Sequence, residues 1–521
     1  MTRGIKTAIY VMAIAAMTAA IYVPRLDFAP IYLANDEPRF ALQARAIATT
    51  GRDLNGTFMP LYFSEVGFSA GRDPIIIYLT ALFLRWLPFS EATIRLPTAL
   101  VGVADVVLMF LVAQQLFKHD GLAIAAAAML ALTPAHVMHS RLGVNVLYPL
   151  PFTLMWLLLL LVFLERERLR TLFAAALVLG VGVYSYVAAV VMMPLYFVLT
   201  SLTLVRKRAT ISQHVAAVAG FATPLSLLVW WHIRHPARYA ELVSSYHVYD
   251  SGRMNPLQGV KDLVSHFSLG VRSAVYWDFF NPSLLFFSGD SSLINSTRLT
   301  GVFVWPVGVF LLLGLYRIVA AERTWTNGLL VAAFVSAPLA AVLVAEVAIR
   351  RALLMLPFAV LIATVGVRWL FSTRPRAWRA AAVVLLALVA VEFSSFRRDY
   401  FSDYRNRSGV WFGGNIRGGL EALVQGERER PSSAVYISNR IPFVDAYWEF
   451  YAVKLGREDL LKRTIYYDPG TVETQLAAAK GLMLTPMHEQ ETERIVGAAG
   501  WHLLQVITEP NGTASFTVYE K

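Results

Sequence analysis

Long runs of apolar residues alternate along this chain with short polar, mostly basic breaks. A membrane-crossing helix needs about 20 largely apolar residues. Eleven segments fit that pattern: 6–24, 92–117, 121–139, 146–164, 171–186, 187–205, 212–232, 301–319, 327–345, 352–371 and 378–394. The stretch 171–205 carries no charge and is too long for one crossing, so it predicts two helices that turn near Tyr184, Ser185 and Tyr186. The segment 74–88 is shorter and contains Arg85. Read as an interfacial or re-entrant helix, it leaves the loops at Lys118, at Arg166, Arg168 and Arg170, at Arg206, Lys207 and Arg208, and at Arg374, Arg376 and Arg379 on the side of Arg3 and Lys6. Counted as a span, it would scatter them across both faces. Because basic short loops stay in the cytoplasm, the expectation is eleven spans, with the N-terminus inside and the C-terminus outside. The first apolar run is expected to remain as a signal anchor.

That topology places three large pieces outside: a first loop over 25–91, a second over 233–300, and a tail over 395–521. The tail alternates β-like runs (434–438, 463–468, 481–486, 516–520) with helix-like stretches (414–428, 444–455, 470–480, 487–499). Such alternation predicts a small extracytoplasmic α/β domain with a largely parallel sheet. The fold expected is a polytopic α-helical membrane body over 1–394 with that domain appended.

Composition removes whole classes of function. Hydrophobic residues make up 57% and charged residues 16% of the 521 positions, against about 45–50% and about 25% in soluble domains. Lipid must therefore solvate most of the chain, which excludes a soluble enzyme, a disordered protein and a fibrous one. The net charge of +11 follows from cationic cytoplasmic loops and not from nucleic-acid binding. With no cysteine, thiolate metal sites and cysteine nucleophiles are impossible.

The outward loops are polar islands on an apolar body, so chemistry is expected there. Asn35-Asp36-Glu37-Pro38 opens a helical pattern in the first loop. One reading is a helix cap, since Asn or Asp accepts backbone N–H bonds and Pro suits the first turn. The other is a carboxylate held at the membrane surface to take a proton from an acceptor hydroxyl. Further along come Gly71-Arg72-Asp73-Pro74, Ile94-Arg95-Leu96-Pro97, Ser140-Arg141-Leu142-Gly143-Val144-Asn145, Gly289-Asp290, and Arg350-Arg351 ahead of Leu356-Pro357.

In this order and spacing, residues 5–372 resemble the membrane-embedded GT-C glycosyltransferases. The branch most similar holds protein O-mannosyltransferases, the aminoarabinose transferase of lipid A and related bacterial galacturonosyltransferases. The resemblance implies that Asp36 is the first-loop catalytic base or acceptor-positioning group, with Glu37 beside it. It also implies that Arg72 contacts the lipid phosphate. Two positions depart from the aminoarabinose-transferase pattern: Asp73 replaces the first of two prolines, and Asn145 or its neighbours stand in for a second acidic residue. A two-carboxylate or metal-assisted scheme is thereby put in doubt.

The residues support the same chemistry. A polyprenyl-phosphate monosaccharide has an apolar tail for a groove among the spans and an anionic leaving group. One base and cations on the departing charge suffice, and guanidinium binds oxyanions bidentately. Arg72, Arg350 and Arg351 are the candidate phosphate ligands; for the last two, headgroup contact at the interface is the competing reading. Arg141, Asn145, Asp278 and Asp290 are candidate substrate contacts, Asp290 also suiting a turn cap. Asp105, mid-span, reads as a buried structural partner. His232 and His235 lack an evident third metal ligand, so no cofactor is required, although a divalent metal could assist. The reading is an inverting glycosyltransferase of the plasma (bacterial inner) membrane. Its partners are a polyprenyl-phosphate sugar, membrane lipids and a lipid, polysaccharide or protein acceptor, with no nucleic acid. A transporter or flippase of a lipid-linked sugar is the alternative, although no internal repeat supports it.

Overall fold

The computed structural model describes the chain except residues 1–2, 66–67, 237–253, 373–374, 433, 469–479, 488, 490–493, 495, 497 and 499, and except the side chains of 3, 64–72 and 256. Each of the eleven apolar segments is helical. Among the described residues, eight helices are long and apolar enough to cross a membrane: Gly4–Tyr22, Glu91–Phe117, Asn145–Arg166, Ala189–Arg206, Ile211–Arg234, Trp325–Leu343, Met355–Ser372 and Arg376–Tyr400. A ninth forms if Asp120–Ala131 and Pro134–Ser140, bent by 63°, are one span.

The other two expected spans are shorter helices, Leu169–Gly182 and Trp305–Ala320, of 14 and 16 residues. At about 1.5 Å per residue these rise only about 21 and 24 Å, against a hydrocarbon core of about 30 Å. Crossing would thus need the adjoining turns as well, including Tyr184–Tyr186, where the chain reverses before Ala189–Arg206. Segment 74–88 is helical over Pro74–Leu84 alone.

Close helix contact is sequence-determined. At Gly314 and Gly366 an added Cβ would run into the carbonyl oxygens of Ile362 and Phe310, so only glycine lets Trp305–Ala320 and Met355–Ser372 meet at this distance.

In the first loop, β1 (Phe63–Glu65) and β2 (Phe68–Arg72) pair antiparallel. The tail carries β3 (Ala434–Ser438), β4 (Thr464–Tyr467), β5 (Gly481–Pro486), β6 (His502–Thr508) and β7 (Ala514–Glu520), in the order β4-β3-β5-β7-β6. The β3–β4 and β3–β5 pairs are parallel, whereas β5–β7 and β6–β7 are antiparallel. The sheet is therefore mixed and not largely parallel. The unexpected strand is β6, an edge strand with most residues exposed, whose burial leaves no alternation to read. Helix-like stretch 470–480 and parts of 487–499 lie outside the described residues. Helices Ile416–Glu429 and Val444–Lys454 pack on this sheet, and their core includes Leu33, Ala41 and Ile94 of the membrane body.

Candidate functional site

The chain leaves the first helix as a partly buried segment without regular structure over residues 23–34, so its buried carbonyls need donors. Two arginines supply them. Arg95 donates to the carbonyls of Leu26 (2.8 Å), Pro30 (3.0 Å) and Tyr32 (2.6 Å). Its other N–H groups go to Glu37, Nε to Oε1 at 2.7 Å and Nη2 to Oε2 at 2.9 Å. Glu37 also accepts from the backbone N–H of Ala34 at 2.7 Å and of Gly143 at 2.8 Å. Arg141 makes five bonds to the carbonyls of Tyr22, Pro24, Arg25 and Ala29.

Two expectations change here. Glu37, placed with Asp36 as a catalytic carboxylate, is 0% exposed and fully engaged; it holds the loop together. Arg141, placed among the substrate contacts, has no N–H left for a substrate. A planar fork of five donors is what a buried turn of unpaired carbonyls needs.

A second cluster forms where Glu37's network ends. Two residues after Gly143, Asn145 Nδ2 donates to Asp73 Oδ2 at 2.6 Å. The turn Asn145–Leu147 packs on the turn Ile349–Arg351. Asp290, 3% exposed, fixes that second turn: its carboxylate accepts from Ile349 N at 2.7 Å and Ser292 N at 2.8 Å. Asp290 thus positions the arginines and is not a free sugar contact. Arg350 and Arg351 then share one carboxylate, Glu346, with Arg351 Nε at 2.6 Å. The Tyr186 hydroxyl lies in the fields of Arg351, Arg350, Asp73 and Glu346, so these groups lie near one another. The wall beside them is aromatic: the Tyr62 ring lies 6.1 Å from Tyr184 and 4.7 Å from Trp231. Burial first, then Asp73, holds the Tyr62 phenol well above its usual range, so it stays a donor. Arg72 closes β2 immediately before Asp73; its side chain lies outside the described residues.

Asp36 is the first residue of helix Asp36–Thr50 and is exposed. The tail domain packs beside it. Tyr447 donates to Leu33 O at 2.8 Å and Asn35 Oδ1 at 3.2 Å. Arg39 stacks on Phe443 at 4.3 Å. Burial, then the charges of Glu37 and Asp36, raises the Tyr447 hydroxyl, which places Asp36 beside that domain.

The remaining candidates sit elsewhere. Asp278 ends helix His266–Asp278, exposed, and among the described residues no hydrogen bond joins its side chain to the cluster. Asp105 faces His136 (3.3 Å), which contacts the Tyr22 hydroxyl (2.7 Å), in a fully buried interhelical chain. His235 stacks on Trp231, and among the described residues no three of His, Asp or Glu converge as a metal site.

Sequence reasoning overlooked Tyr62, Tyr186, Glu346 and Tyr447. A signal existed for two of them: Tyr186 interrupts an uncharged apolar stretch, and Glu346 stands four residues before Arg350 at a span's end.

A family model described as dolichyl-phosphate-mannose-protein mannosyltransferase matches residues 71–252, starting at Gly71-Arg72-Asp73. No curated protein matches the sequence. Among solved structures, ArnT from Cupriavidus metallidurans bound to undecaprenyl phosphate is similar with a TM-score of 0.53 at 13% identity, over 98% of each chain. The fold is that of the GT-C membrane glycosyltransferases. The apo form of that ArnT gives 0.53 at 12% identity, over 98% of this chain and 97% of that one. The Archaeoglobus fulgidus oligosaccharyltransferase, in complex with Zn and sulfate, gives 0.51 at 14%, over 96% of this chain and 72% of that one. The family match is confined to residues 71–252, and the likeness to the solved structures is one of fold.

Proposed function

We propose that this GT-C chain moves a monosaccharide from a polyprenyl phosphate to a hydroxyl at the outer membrane face, with inversion. The observation that carries the reading is the convergence of Arg350, Arg351, Tyr186 and the Asp73–Asn145 pair near one locus beside the aromatic wall of Tyr62, Tyr184 and Trp231. Two adjacent guanidinium forks at one locus suit the oxygens of a phosphate. The ArnT structure with undecaprenyl phosphate supports the lipid class.

Asp36 takes the acceptor's hydroxyl proton while the oxygen attacks the anomeric carbon from the face opposite the phosphate. The bond from that carbon to the phosphate oxygen breaks, and the lipid phosphate leaves with the electron pair. Arg350, Arg351 and Arg72 stabilise the added negative charge. Tyr447, held over the first turn of Asp36's helix, limits which acceptors approach. No step requires a metal.

The test is Asp36→Asn in the full chain, measured for donor binding and for transfer. We expect transfer to fall about 10²–10⁴-fold, the usual worth of a general base, while donor binding survives. Transfer at the wild-type rate would overturn the assignment, and unchanged sugar translocation with no transfer in the wild type would favour a flippase. An alkaline phosphatase fused after the tail should be active if the tail lies outside; an inactive fusion alongside an active cytoplasmic reporter would reverse the orientation.

A further inference from the structure

A second basic groove lies apart from the donor locus and shares none of its lining residues. It runs between the C-terminal ends of helices Gly4–Tyr22 and Arg376–Tyr400 and has a volume of about 710 Å³, within the range of small-ligand sites, about 300–1,000 Å³. Its floor is apolar, formed by Ala20, Ile21, Leu132, Ala390 and Phe393. Its mouth carries Arg25, Arg397 and Arg398. All three are exposed, and among the described residues none has an ion pair. The nearest acid on the helix, Asp399, is taken bidentately by Arg407 at 2.9 Å.

The cations are arranged and not scattered. The Arg25 and Arg397 guanidiniums each lie 5.7 Å from the Phe401 ring, and buried Arg141 faces the same ring at 4.9 Å. Arg25 has φ of 59°, a left-handed conformation rare for a side-chain-bearing residue. Arg141 fixes it there by donating to the Arg25 carbonyl at 2.8 Å. The helix C-termini favour Arg397 and Arg398, but Arg25 lies beyond its helix and is held in place by another arginine.

In the orientation proposed above, this groove opens at the outer face. Positive charge there does not serve topology, because the basic short loops all lie on the opposite side. An apolar trough with an uncompensated basic mouth at the membrane surface matches a lipid with a phosphate headgroup: chain in the trough, phosphate among the guanidiniums. We propose that this groove binds a phosphate-headed lipid, separately from the sugar donor. The proposal rests on the membrane orientation and not on the glycosyl-transfer chemistry, so either can fail alone.

The absence of cysteine makes the test site-specific. Ser394, exposed and lining the groove, becomes the single thiol as Ser394→Cys, and the rate at which it forms a mixed disulfide with a small methanethiosulfonate is followed in the purified full chain. Dioleoyl phosphatidic acid should slow labelling about tenfold, whereas dioleoylglycerol, with the same chains and no phosphate, should not. Adding Arg397→Ala and Arg398→Ala should remove that protection. Arg25→Ala alone, away from both helices, serves as the second variant should the pair fail to fold. Equal protection by dioleoylglycerol, equal protection by inorganic phosphate, or protection that survives loss of the arginines would each overturn the proposal. Arg351→Ala separates the two sites: it should impair sugar-donor binding and leave the Ser394→Cys protection intact.

Discussion

Two groups of arginines in this molecule look alike in sequence and differ in what surrounds them. Arg95 and Arg141 are 1% and 0% exposed, and their donors go to carbonyls of residues 22–32 and to Glu37. Arg350 and Arg351 are partly exposed and divide a single carboxylate. In the first group the cations hold buried backbone in a dry interior; in the second they pair with a carboxylate where solvent reaches them. Burial alone therefore does not mark a functional arginine.

The sharpest way to break that contrast is to remove one partner of the buried pair. Glu37→Gln leaves Arg95 charged in a dry interior, and breaking such a pair costs about 3–5 kcal/mol. We expect loss of folded protein in detergent, read by size exclusion and thermal unfolding. A stable Glu37→Gln chain that has lost only transfer would return Glu37 to the catalytic group.

A smaller effect is expected at the partly exposed pair. Arg351→Ala should weaken donor binding by about one to two orders of magnitude, the worth of a charge-assisted hydrogen bond of about 1.5–3 kcal/mol, with little change in thermal stability. Arg351→Lys should recover part of it, keeping charge but losing the fork. Equal destabilisation by Arg351→Ala and Glu37→Gln would erase the distinction between the two groups.

The smallest effect marks the limit of the rule. Asp459 is exposed, and its hydrogen bond from Arg457 is the main cause that lowers its carboxyl to about 2. A depressed carboxyl contributes stability above its unfolded value of about 3.9 and loses it as pH falls toward 2. Solvent screening keeps the contribution of such a pair to about 0.2–1 kcal/mol. Asp459→Asn should therefore shift thermal unfolding barely at pH 7 and not at all near pH 2. A large shift at pH 7 would show that surface pairs matter here as much as buried ones.

Much of the fold could be read from the chain because membrane burial demands long apolar runs, and each of the eleven runs is helical. Span length was less legible: Leu169–Gly182 and Trp305–Ala320 stop short where turns begin, and hydropathy does not register a turn made of apolar residues. At the site, the ordered motifs marked Arg95 and Arg141 without revealing their roles. Glu37 meets Arg95 across 58 positions, and Arg141 meets Ala29 across 112; no local spacing reports such partners. Asn145 and Asp73 were singled out as departures from a family pattern, and the structure joins them directly. β6 was missed because an exposed edge strand has no buried face to impose a period of two.

The docking of the tail on the first loop has a consequence in time. Tyr32 donates to Glu509 at 2.8 Å, a contact that spans 477 positions. Lys454 reaches back to Glu91 at 2.8 Å, and Leu33, Ala41 and Ile94 share a core with the tail's helices. At about 5–20 residues added per second, roughly half a minute to a minute and a half separates emergence of the first loop from arrival of its last partner. Throughout that interval Leu33, Ala41 and Ile94 stand uncovered at the lipid–water boundary.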